Sequence, residues 1–160
     1  MAKFRMFFAR LAALAGFIVL AATPLAASEF RAGDLVIKSP WSRATPSGAR
    51  VAGGYFVIEN KGTQPDRLVA ANVEVAGRVE IHTMTLQDGV MRMRSVSGGV
   101  EIRPGESVVF QPSGLHLMWL DLARTPKIGD VLNGGLTFEK AGNVAVQFRV
   151  APLGATSPAP

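Results

Sequence analysis

Residues 80–94 read EIHTMTLQDGVMRMR, two alternating runs on either side of Asp88-Gly89. Asp-Gly is favoured in two-residue hairpin turns because both central positions take positive φ. The pairing follows from the turn: Gln87 faces Val90, Leu86 faces Met91, Thr85 faces Arg92, Met84 faces Met93 and His82 faces Ser95. Opposed residues share a face and side chains alternate along each strand. His82, Met84, Leu86, Met91 and Met93 therefore project from one side, and Val79, Ile81, Thr83, Val90, Arg92 and Arg94 from the other. Covering the second side near the turn would bury two arginines, which are seldom fully buried without partners. Val79 and Ile81 nevertheless lie on that side, so the hairpin is expected to run from a covered base to an open tip. Alternation alone does not say which face is wet.

The same strand pattern extends outward. DLVIK, GGYFVIEN, RLVAANVEV, RVEIHTMT, VMRMR, VEI, SVVFQ, LHLMWLDL, LTFEK and NVAVQFRV are short Val- and Ile-rich runs. NKG at 60–62, RPGE at 103–106 and QPSG at 111–114 supply turns between them. Beyond the N-terminal segment no window carries a helical apolar stripe, so the expected class is all-β, a Greek-key β-sandwich or barrel. Gly53-Gly54 before Tyr55 suggests a bulge or a close strand approach rather than a phosphate cradle, since no helix start follows. Trp41 and Trp119 are expected in the core.

With 160 residues the chain is sized for one domain. Lys3, Arg5 and Arg10 precede the apolar run LAALAGFIVLAA and the small residues PLAAS, the pattern of an export signal cut after Ala27 or Ser28. The expected organisation is a signal peptide at 1–27, a β domain at 28–150 and a disordered tail at 151–160, with no membrane insertion after cleavage. Removing the signal takes away three of 17 basic residues and none of 12 acidic ones, leaving a formal charge of +2. The remaining cations are scattered without interleaved aromatics, which sets nucleic acid aside. There is no cysteine, so any metal site lacks thiolate and a blue-copper arrangement is excluded.

A second segment, GLHLMWL at 114–120, places His116 and Met118 two apart on one face, with Leu115, Leu117 and Trp119 on the other. The leucines and the tryptophan suit a core, leaving the His-Met face to look outward or line a shallow pocket. The chain has two histidines, and each stands two positions before a methionine. If the two segments meet, two imidazoles and two thioethers form a soft, neutral donor set free of oxygen. Such a set suits Cu(I), whereas zinc prefers thiolate or carboxylate and calcium or magnesium needs oxygen. Only the histidines, with an unperturbed pKa of about 6.5, would make binding fall in mild acid.

His82, Met93 after ten intervening residues, and His116-Leu117-Met118 together resemble the histidine-methionine signature of the periplasmic PCu(A)C-type copper chaperones. GVMRMR and PWSRATP at 40–46 are also similar to that family, and the likeness runs over residues 32–150. The resemblance implies a cupredoxin-like fold holding Cu(I) near its surface through His82, Met93, His116 and Met118. It also implies delivery to the binuclear copper centre of cytochrome oxidase, alongside a thiol-bearing copper chaperone. Strict hairpin pairing sets Met84, not His82, opposite Met93. The diagonal His82–Met93 spacing, about 7–8 Å between Cα atoms, still lets both side chains reach one ion. A displaced register would give Met91 the role of Met93, and Met84 is the nearer spare donor.

The expected protein is a monomeric, periplasmic, non-enzymatic Cu(I) carrier whose partners are the copper-accepting oxidase subunit and a thiol-bearing chaperone. A copper-buffering or resistance protein is the alternative within metal handling. A metal-free structural β-sandwich module is the alternative outside it. Enzymatic chemistry is disfavoured because no nucleophile is paired with a base.

Overall fold

In the computed structural model, which describes residues 28–158, the hairpin forms in the register its sequence dictates. Asp88 and Gly89 take φ of 52° and 77°, as the turn demands. The expected export signal lies outside the described residues. The strands are β1 (Glu29–Ala32), β2 (Leu35–Arg43), β3 (Val51–Asn60), β4 (Asp66–Val73), β5 (Ala76–Gln87), β6 (Val90–Ser95), β7 (Val100–Ile102), β8 (Ser107–Phe110), β9 (His116–Leu122), β10 (Val131–Phe138) and β11 (Gly142–Ala151). No helix occurs among the described residues, and none is long and apolar enough to cross a membrane.

The strands form one continuous path, β6-β5-β9-β3-β2-β11-β10-β4-β7, with β1 added beside β2 and β8 beside β3. All the pairings are antiparallel except β2 with β11, which is parallel. The path folds over its own apolar side. Leu35, Ile37, Phe56, Leu68, Ile102, Phe110, Leu117, Trp119, Leu132, Leu136 and Phe148 fill the interior. Phe56 stacks on Phe110 at 4.3 Å, and Trp119 meets Phe148 edge-on at 5.2 Å. Burying each phenylalanine contributes about 1.5–3 kcal/mol relative to exposure.

Buried polar groups sit where backbone needs partners. The Asp66 carboxylate accepts from the amides of Arg67, Lys140 and Ala141, tying β4 to the β10–β11 turn. The Asn60 amide donates to the carbonyls of Gln64 and Ile102, joining β3 to the end of β7.

Three features exceed the sequence expectation. β1 was not among the expected strands. β2 continues through Pro40 because Ser39, at φ 49°, opens a bulge where the β3 register shifts between Lys38 and Trp41. The tail at 151–160, expected to lack order, is folded as far as the structure describes it: Ala151 ends β11 and is buried, Ala155 packs on the small cluster of Trp41, Tyr55 and Ala151, and Arg43 Nε donates to the Ala155 carbonyl at 2.6 Å. Trp119 belongs to the main core as expected, whereas Trp41 anchors that separate cluster.

Candidate metal centre

β9 is flanked by β5 and β3, and this placement gathers the candidate donors. In the β5–β9 register His82 lies directly opposite His116, and Glu80 opposite Met118. On the other flank Gly53 of β3 lies opposite Met118. Across the hairpin Met84 faces Met93. Alternation sends Leu117 and Trp119 inward, both fully buried, and leaves His116 and Met118 on the outer side. Exposure along β5 rises from buried Ile81 to exposed Leu86, and β6 is exposed throughout, so the hairpin does run from covered base to open tip.

Met84, Met93, His116 and Met118 share the wall of a cavity of about 310 Å³. Arg43, Tyr55, Pro112 and Ser113 complete much of the remainder. His82 stands beside this cavity rather than in its wall, with its ring centroid 6.0 Å from that of His116. The structure thus places Met93, His116 and Met118 around one space, with His82 adjacent and Met84 in the position of a fourth wall donor.

Both imidazoles are oriented. His116 Nδ1 lies 2.8 Å from the Gly114 carbonyl, an acceptor, so Nδ1 carries the proton and Nε2 keeps its lone pair. His82 Nε2 lies 2.8 Å from the Glu80 carboxylate, which assigns the proton to Nε2. His82 Nδ1 is then a bare acceptor, buried and without a hydrogen-bond partner. A carboxylate or carbonyl on the far nitrogen is the usual device for fixing the tautomer of a ligating histidine. The hydrogen bond from His82, helped by the nearby charge of Arg78, holds the Glu80 carboxyl below the ordinary range against the upward pull of burial.

The β3 wall requires glycine. A Cβ on Gly53 would overlap the Tyr55 hydroxyl, and one on Gly54 would stand 2.8 Å from Trp119 Nε1. Gly54 is therefore a close approach of β3 to β9, as the sequence suggests, while Gly53 leaves room for the Tyr55 ring of its own strand. Tyr55 lies under the Arg43 guanidinium, 5.9 Å from the ring centroid. Burial raises its phenol pKa, partly offset by that cation. No motif in the sequence marks Tyr55 or Gly114 as part of the site. Glu80 alone had a readable signal, standing two residues before His82 and so on the same strand face.

Among the described residues no three His, Cys, Asp or Glu side chains cluster, so the oxygen and thiolate sets of hard-metal and structural zinc sites are missing from them. What converges is imidazole and thioether, a neutral donor set for a soft cation.

The LpqE-like lipoprotein family model matches residues 35–150, which span the whole β assembly from β2 to the end of β11. The chain belongs to the LpqE-like family. Solved structures similar to this LpqE-like protein include a copper-bound PCuAC domain from PmoF2, 26% identical with a TM-score of 0.66, covering 78% of this chain and 98% of that one. An apo PCuAC domain from PmoF1 is 30% identical, with a TM-score of 0.66 and coverage of 78% and 99%. The solution structure of CuI-DR1885 from Deinococcus radiodurans is 27% identical, with a TM-score of 0.58 and coverage of 69% and 74%. No curated protein matches the chain. The fold of the LpqE-like protein is accordingly the cupredoxin-like β architecture of the PCuAC domains.

Proposed function

We propose that this LpqE-like protein is an exported, non-enzymatic Cu(I) carrier that works in the periplasm. In this reading it delivers copper to the binuclear copper centre of cytochrome oxidase. His82, Met93, His116 and Met118 are its ligands. The observation that carries the reading is the convergence of soft neutral donors on one cavity beside an open hairpin, with a buried His82 nitrogen left unpartnered. The copper-bound state of the similar PmoF2 domain and of DR1885 supports copper as the ion.

The cargo needs no deprotonation of its thioether ligands, and Glu80 and Gly114 hold the imidazoles with lone pairs available. Delivery is ligand exchange rather than turnover. Met93 lies on a strand exposed along its length, where donors of an accepting protein, thiolates included, can displace it one bond at a time. Buried His116 stays with the carrier until last.

The test is anaerobic titration with a Cu(I) indicator, comparing the protein with its His116→Ala variant, followed by mixing the loaded protein with an apo oxidase copper domain. One Cu(I) per chain, lost in His116→Ala and transferred on mixing, is expected. Tight binding without transfer would leave a copper buffer. No stoichiometric binding would end the reading.

A further inference from the structure

We infer that Met84 is a fifth copper donor. Met84, Met93, Met118 and His116 then form a sulfur-rich Cu(I) site in the cavity wall, distinct from the set completed by His82. The inference rests on the Cu(I)-carrier reading and adds a ligand and a second coordination state to it.

Three observations place Met84 there. It is directly opposite Met93 in the hairpin register, where Cβ atoms stand about 4.5–5.5 Å apart, while His82 reaches Met93 only on the diagonal. It lines the same cavity as Met93, His116 and Met118, and His82 does not. Its amide donates at 3.1 Å to the Gly114 carbonyl, the same oxygen that accepts from His116 Nδ1 at 2.8 Å. One carbonyl therefore fixes both the backbone of Met84 and the ring of His116.

His82 is held differently. Its Nε2 is engaged by Glu80, its buried Nδ1 has no hydrogen-bond partner, and the residue is not part of the cavity wall. An ion resting among the four wall donors meets three thioethers and one imidazole without moving that ring. In a four-donor set His82 takes the place of Met84, using the Nδ1 that has no hydrogen-bond partner. Methionine has three rotatable bonds and a polarizable sulfur, which suits a donor that binds and leaves. The protein thus has two overlapping donor sets sharing Met93, Met118 and His116, and exchange of Met84 for His82 moves the ion without releasing it.

The test compares wild type, Met84→Leu, His82→Ala and the double variant, each loaded with Cu(I) under anaerobic conditions. Affinity is read by indicator competition at one fixed pH, and sulfur ligation by X-ray absorption. Leucine keeps the volume of Met84 and removes its sulfur, and thermal melts of the apo forms report folding. His82→Ala is expected to retain Cu(I) with all three thioethers bound, and adding Met84→Leu to weaken it by about tenfold or more. Met84→Leu alone is expected to hold Cu(I) through His82 with two thioethers. Loss of Cu(I) in His82→Ala with an unchanged apo melt would overturn the inference, as would equal affinity and sulfur count with and without Met84. If His82→Ala does not fold, sulfur counts in Met84→Leu identical to wild type and to two thioethers would overturn it alone. Failure of wild type itself to bind would instead remove the carrier reading beneath it.

Discussion

Replacing Met93 with alanine separates a ligand from a core residue. Met93 keeps 45% of its surface exposed on β6, a strand that among the described residues pairs only with β5. Complete burial of a methionine is worth about 1.5–3 kcal/mol, so truncating a side chain that is half buried forfeits about 1 kcal/mol. No sealed cavity forms behind it, because the outer edge of β6 faces solvent and the cavity term of a core deletion does not apply. Leu117, fully buried one residue after His116, provides the contrast: Leu117→Ala should cost about 2–5 kcal/mol. In urea denaturation of the apo proteins, Met93→Ala should move the midpoint by less than about 1 M and Leu117→Ala by clearly more, for slopes of about 1–3 kcal/mol/M. In an anaerobic Cu(I) competition the order should reverse, with Met93→Ala losing about tenfold or more in affinity. A Met93→Ala protein destabilised as much as Leu117→Ala, with copper binding intact, would show that the methionine face is packing and that the functional reasoning is wrong.

Gly54→Ala should destabilise by about 1–3 kcal/mol, because its methyl collides with the Trp119 indole and forces either that ring or β9 to shift; a melt within error of wild type would contradict this. Asp66→Ala leaves the amides of Lys140 and Ala141 without their acceptor and should cost about 1–3 kcal/mol for each group left buried, measured by urea denaturation. Lys38 and Lys61 hold the Glu59 carboxyl down to about 2 from an ordinary 4.5, so its stabilising effect is complete above about pH 4.5 and disappears as pH falls toward 2. Melting temperatures of Glu59→Gln should therefore fall below wild type near neutral pH and converge with it at about pH 2; a constant offset down to that pH would assign the effect to packing instead.

The hairpin and β9 were legible because their information is local. A two-residue turn fixes a register, and alternation then assigns every face, which is why Met84 and Met93 face each other as expected. The continuation of β2 was not legible, since Ser39-Pro40 reads as a stop unless the partner strand is known to skip a residue there. β1 is not legible for a related reason, being four residues held by pairing with β2. At the site, residue types point to candidate donors, but not to which of them share a cavity. That depends on β9 aligning His116 with His82 and Met118 with Glu80, a registry between segments distant in sequence. Likewise, Tyr55 and Gly114 act through strand neighbours and a turn carbonyl that no motif encodes.

The parallel pairing of β2 with β11 joins an early strand to the last one, with Arg149, Val150 and Ala151 beside Trp41, Ser42 and Arg43. Until synthesis has passed Ala151, β2 lacks one neighbour and β10 another. A nascent chain shorter than that cannot complete the assembly, and such distant pairings are slow to form. The topology makes closure depend on the last strand, and a chain ending before Gly142 leaves the facing edges of β2 and β10 unpaired.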